Sequence, residues 1–112
     1  MIDWNRVREL RDEIGADDFG EVVLMFLQEA DEVVLRIGAA GGPAQSPRGV
    51  AEDLHFLRGA AVNLGFRELA GLCHEAERRA IADQPVDLTV ITDHFRKVRA
   101  IFVSDLQAEL AG

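Results

Sequence analysis

Residues 54–77 read LHFLRGAAVNLGFRELAGLCHEAE, and this stretch decides the fold. Leu54, Leu57, Ala61 and Leu64 recur at spacings of three and four, the period of one face of an α-helix, so that face must be turned to a core. Gly65 stands where a left-handed stop would end the helix. Beyond it Leu69, Leu72, Cys73, Ala76 and Ala80 resume the same period. Two consecutive helices are expected, the first ending near Leu64 and the second running from Phe66 or Arg67 to Ala82.

The same period extends in both directions. A short first helix is expected from Asp3 to about Ile14, with Trp4, Val7, Leu10 and Ile14 on one stripe, Gly15 as its stop, and the role of a lid on a larger bundle. Asp17 can cap a long second helix whose stripe is Val22, Val23, Phe26, Leu27, Ala30, Val33, Val34 and Ile37. The glycine- and proline-rich stretch 38–49, GAAGGPAQSPRG, reads as a flexible loop, near whose end Ser46-Pro47 offers an N-cap with proline in the first turn. Pro85 breaks the pattern once more. Leu88, Ile91, Phe95, Val98, Phe102 and Leu106 then suit the seam of an antiparallel bundle. No segment alternates as a half-buried strand does, so the fold class is all-α.

The chain has 112 residues, the size of a single domain, expected to span 1–112. Its 48% apolar and 29% charged residues fit a compact fold, and the excess of 20 acidic over 12 basic residues gives a net charge of −8. That charge opposes general binding to nucleic acid or anionic membrane, and no apolar run approaches the roughly 20 residues of a membrane span. A cytoplasmic location is expected. The single cysteine, Cys73, cannot form an internal disulfide or begin a Cys-x-x-Cys zinc site, and reads as a small core residue. The usage of Ala, Gly and Arg suits a GC-rich bacterium.

His55 sits one position round from the core face. Ala51 and Glu52 lie one turn before it, Arg58 and Gly59 one turn after, and Val62 a turn further on. A histidine that must meet a bulky partner and carry a phosphoryl group needs exposure, a nearby cation and an unobstructed approach. Imidazole, with a pKa near 6.5, keeps a neutral nucleophilic nitrogen at neutral pH. Arg58 can donate charge-assisted hydrogen bonds to phosphoryl oxygens. Gly59 has no side chain one turn from His55, and a glycine in mid-helix costs about 1 kcal/mol relative to alanine, so clearance is a reason for it.

The run His55-Phe56-Leu57-Arg58-Gly59, then Asn63-Leu64-Gly65, then Leu69, Leu72-Cys73 and Glu77, resembles the signature of bacterial histidine phosphotransfer (HPt) domains. The order of the remaining helices follows that family too, so the resemblance covers essentially the whole chain. It implies an antiparallel up-down four-helix bundle with a short additional N-terminal helix. It implies phosphorylation of His55 on the ring nitrogen farther from the backbone, a basic residue at Arg58 where lysine is more usual, and clearance at Gly59. The partners it implies are response-regulator receiver domains, which exchange the group from their aspartate, and a hybrid histidine kinase. Mg²⁺ is expected on the receiver and no cofactor on this chain. No Gly-rich phosphate loop or magnesium-binding acid cluster supports ATP chemistry, so the chain reads as a carrier rather than an enzyme. Ala51, Glu52 and Val62, with Arg58 and Gly59, are expected to meet the partner, and a monomer is expected.

Other readings of the same residues are weaker. Glu52-Asp53-Leu54-His55 spells half of a two-metal carboxylate set, but Gly71 and Ile91 stand where the other half needs glutamates before His74 and His94, so no metal site is assigned. His74 and His94 read as boundary or surface residues. Glu75, Glu77, Arg78 and Arg79 read as a solvated helix face with local pairing. A helical adaptor that is never phosphorylated is the alternative function. A chain that opens on Met1 and finishes at Ala111-Gly112 is expected to be a separate protein, the alternative being an HPt domain of a hybrid or chemotaxis kinase.

Overall fold

The computed structural model describes residues 2–39 and 46–111, and all regular structure among them is helical: α1 (Trp4–Ile14), α2 (Ala16–Ala39), α3 (Pro47–Asn63), α4 (Arg67–Ile81) and α5 (Leu88–Leu110). α2 packs on α3 and α5, α4 packs on the same two helices, and α1 lies against α2 and α3. One apolar core draws on all five. Val7 and Leu10 of α1 are buried in it with Val23, Leu27 and Ile37 of α2, Leu54 and Leu57 of α3, Leu69 and Cys73 of α4, and Phe95 and Phe102 of α5. α1 is therefore more than a lid. Trp4 stacks on Phe102 at 5.5 Å between ring centroids, and Phe66 meets the edge of the same ring at 5.3 Å.

Local chemistry accounts for the helix ends. Asp3 caps α1 by accepting from the Arg6 N–H, and Gly15, at φ +98°, stops it. Ser46 Oγ accepts from the Gly49 N–H at 3.1 Å and Pro47 opens α3. At the far end of α3 the Phe66 N–H donates to the Ala61 carbonyl and the Gly65 N–H to that of Val62, with Gly65 at φ +77°, a Schellman stop. α4 ends the same way around Asp83, at φ +56°, which halts the helix before Pro85 can. Arg8 and Arg11 reach from α1 to the Glu109 and Leu110 carbonyls, satisfying acceptors that the end of α5 leaves open.

Three expectations need correction. Asp17 is not a cap: α2 begins at Ala16 directly after Gly15, whose carbonyl accepts from Asp18 and Phe19, so Asp17 contributes its charge within the first turn. The expected loop 38–49 is too long at both ends, because Gly38 belongs to α2 and Pro47–Gly49 to the capped first turn of α3; positions 40–45 lie outside the described residues. Val22 and Phe26 are only half-buried, whereas Phe19, outside the expected stripe, is in the core. Among the described residues no helix is long and apolar enough to cross a membrane.

Candidate functional site

α3 and α4 are joined only by Leu64, Gly65 and Phe66, and the Schellman stop folds the second helix back along the first. Side chains equidistant in sequence from Phe66 therefore face each other. His55 meets Glu77, and Arg58, one turn closer to the stop, meets His74.

His55 is fixed by its neighbour rather than by its own helix. Leu54 and Leu57 are fully buried and anchor the turn, while the His55 side chain is 64% exposed. Its Nδ1–H donates to Glu77 Oε2 at 3.1 Å. A carboxylate can only accept, so in the neutral ring the proton is on Nδ1 and the lone pair on Nε2. The site thus offers a ring of set tautomer with its nucleophilic nitrogen away from the acid. Glu77 itself is only 17% exposed.

Arg58 donates from Nη1 to His74 Nδ1 at 2.6 Å and stands 3.9 Å from Glu77 Oε1. The guanidinium is always charged, so a cation is held within one turn of His55. A Cβ placed on Gly59 would meet nothing within 4 Å, so the surface beside His55 is open there. The Gly59 carbonyl accepts from Asn63 Nδ2 at 3.2 Å, and Asn63 in turn accepts from Arg6 Nη2 at 3.0 Å, which ties this turn of α3 to α1.

The remaining expected site residues divide. Val62 is exposed on the same side of α3 and Glu52 is exposed in a loose pair with Arg48 at 3.5 Å. Ala51, expected to meet the partner, is itself buried: it lies on the floor of an open groove of about 940 Å³ beside His55, with Pro47, Phe56, Ala80 and Ile81 on its sides. Phe56 and Ile81 are exposed apolar residues there.

Glu77, part of the family-like run but read within the charge run as a solvated face, is the residue that the structure brings against His55. Glu75 does pair locally with Arg78 and Arg79, but Glu77 turns across to α3. The missing signal was its mirror relation to His55 about the Gly65 stop. His74 was likewise left unassigned, and His94 is half-buried on α5. Cys73 is fully buried, and burial pushes its thiol up to about 12, aided by Glu77 and opposed by Arg58. Among the described residues no three His, Cys, Asp or Glu side chains are grouped to hold a metal ion.

The site is thus an exposed histidine of set tautomer on a helical scaffold, with a cation within one turn and an unobstructed surface beside it. The family model for the Hpt domain matches residues 21–110, most of the chain and nearly all of α2 through α5, and the chain belongs to that family. Membership places it in histidine phosphotransfer within two-component systems, as a carrier. No curated protein and no solved structure matches it.

Proposed function

We propose that this chain accepts a phosphoryl group on His55 Nε2 and passes it to or from the aspartate of response-regulator receiver domains, with a hybrid histidine kinase upstream. The observation that carries the reading is the Nδ1–H bond from the exposed His55 to the carboxylate of Glu77. As Nε2 attacks phosphorus, an N–P bond forms, the P–O bond of the aspartyl phosphate breaks, and the aspartate leaves as a carboxylate. Nε2 has no proton to lose. Positive charge develops on the ring, and Glu77 stabilises it while holding the ring in line, as an acid behind a nucleophilic or basic histidine does.

Arg58 receives the phosphoryl oxygens, and Gly59 leaves room for the receiver. Mg²⁺ belongs to the receiver, and catalytic power lies mainly in that partner and in positioning. Docking uses Val62, Gly59 and the exposed Phe56, with Glu52 at the rim and Ala51 only as buried floor. The chain acts as a cytoplasmic monomer and as one domain over 1–112, with α2 to α5 as an antiparallel up-down four-helix bundle and α1 added to it.

The test is transfer of label from a phosphorylated receiver. Acid-labile, base-stable label on the wild type and none on His55→Gln, with the helical signal of the two proteins equal, is the expected result. Label retained by His55→Gln overturns the assignment, and a wild type that no receiver labels favours a helical adaptor.

A further inference from the structure

Gly59 leaves the turn beside His55 open, and an open turn is also a loose one. A Cβ placed there would meet nothing within 4 Å among the described residues, and glycine inside a helix weakens its turn relative to alanine. The turn is supported from outside instead. Asn63 Nδ2 donates to the Gly59 carbonyl at 3.2 Å, and Asn63 Oδ1 accepts from Arg6 Nη2 at 3.0 Å. The other arm of the Arg6 fork, Nη1, is held by Glu9 at 3.3 Å and Glu13 at 3.2 Å. An amide side chain has an acceptor end and a donor end, and here both are engaged. Two acids, Arg6, Asn63 and the Gly59 carbonyl thus form one chain running from α1 into α3.

Building on the relay reading of His55, we infer that Arg6 is a positioning residue for phosphoryl transfer, acting through Asn63 on the turn of α3 that carries His55, Arg58 and Gly59. α1 precedes residues 21–110, the stretch that the family match covers. The i to i−4 bonds of a helix put His55, Gly59 and Asn63 in one column, so fixing the Gly59 carbonyl fixes the turn above His55. A side chain at position 59 would stand where the partner approaches, whereas support that reaches the carbonyl from α1 leaves that surface clear. A planar fork can grip acids with one nitrogen and the amide with the other, while a lysine would have to do both from a single nitrogen.

Arg6→Ala should leave the fold in place, because Asp3 on Gly65, Trp4 on Phe102 and the bonds of Arg8 and Arg11 to the end of α5 still hold α1. The maximal rate of label transfer from a phosphorylated receiver to the full chain should fall roughly tenfold, inside the roughly hundredfold that an ångström of misplacement can cost. The half-saturating receiver concentration should not change. Asn63→Ala breaks the same chain and should give the same loss, with no further loss when the two are combined. In a Gly59→Ala background the helix needs less support, and Arg6→Ala should there cost no more than about twofold.

Hydrogen exchange supplies a second readout that does not depend on transfer. The backbone amide of Asn63, in the last turn of α3, should exchange roughly fivefold faster in Arg6→Ala, the worth of about one net hydrogen bond, and the amides of α5 should change by less. A wild-type maximal rate in Arg6→Ala, an undiminished loss in the Gly59→Ala background, or an Asn63 amide that exchanges as in the wild type overturns the inference while leaving the relay intact. So does a raised half-saturating concentration at an unchanged maximal rate, which would make Arg6 a contact for the partner. A wild type that accepts no label from any receiver overturns the relay reading and this inference with it.

Discussion

The Nδ1–H of His55 and the Oε2 of Glu77 meet at 3.1 Å across the α3–α4 seam, joining an exposed imidazole to a mostly shielded acid on the facing helix. The bond fixes both the ring plane and the nitrogen that carries the lone pair. Removing the carboxylate in Glu77→Ala should cost roughly 10- to 100-fold in the rate of phosphoryl acceptance, the range for loss of an orienting partner behind a working histidine. Glu77→Gln can still accept through its amide oxygen, so it should lose less, and the remaining deficit measures the contribution of the charge. Single-turnover transfer from a phosphorylated receiver reads both. Equal rates in all three proteins would remove Glu77 from the mechanism.

Gly59 offers a cleaner test of clearance, because the fold does not require it. No neighbour lies within 4 Å of where its Cβ would be. Gly59→Ala should therefore stabilise the chain by about 1 kcal/mol through helix propensity, measured as a higher urea midpoint. Gly59→Leu should fold as well and yet slow transfer, since the added side chain stands only where a docking partner would. A Gly59→Leu variant with full transfer rate would show that the receiver approaches elsewhere.

Periodicity made the helices legible, and it did so because each has one face that must be dry. Leu54, Leu57, Ala61 and Leu64 are all buried as their spacing requires, and the Gly15, Ser46 and Gly65 signals fall at actual helix ends. His55 and Arg58 were placed relative to that face in the same way, while the roles expected of them came from the family-like run around them. What periodicity does not give is the direction in which the next helix lies. Glu77 looked like part of a solvated run, and Ala51 was expected to meet the partner directly, because a single helical wheel does not show that α4 covers this edge of α3. A short alanine stays in the shelter of the neighbouring helix while the longer imidazole of His55 reaches out of it. Gly38 failed differently: composition marked it as loop, yet the helix continues through it after the buried Ile37.

Gly65 carries two demands that no other residue meets together. Its φ of +77° is left-handed, and a Cβ there would stand 2.5 Å from the backbone carbonyl oxygen of Asp3, whose own N–H donates to the Gly65 carbonyl at 2.8 Å. Gly65→Ala should destabilise the chain by at least about 2 kcal/mol, the left-handed penalty of 1–2 kcal/mol plus displacement of α1. Trp4, the one tryptophan, stacks on Phe102 and will report the displacement as altered fluorescence. A urea midpoint equal to that of the wild type would mean that the α1 contact is not made in solution.

Cys73 supplies a pH dependence whose sign follows from its burial. Its thiol titrates near 12 in the folded chain against an ordinary 9.0, because the charged thiolate is shut away from water. The folded state therefore holds this proton more tightly than the unfolded state does. Below 9 both states keep it and stability is insensitive to it. Between about 9 and about 12 the unfolded chain gives it up first, so stability should fall by as much as ~1.4 kcal/mol per pH unit. The chain has no tyrosine, and Lys97 is its one lysine, so few other groups titrate in that window. Urea midpoints followed from pH 8 upward should show a decline in the wild type that is shallower in Cys73→Ala, even though that variant starts from lower stability. Parallel pH profiles for the two proteins would show that the thiol is open to solvent and ionises freely.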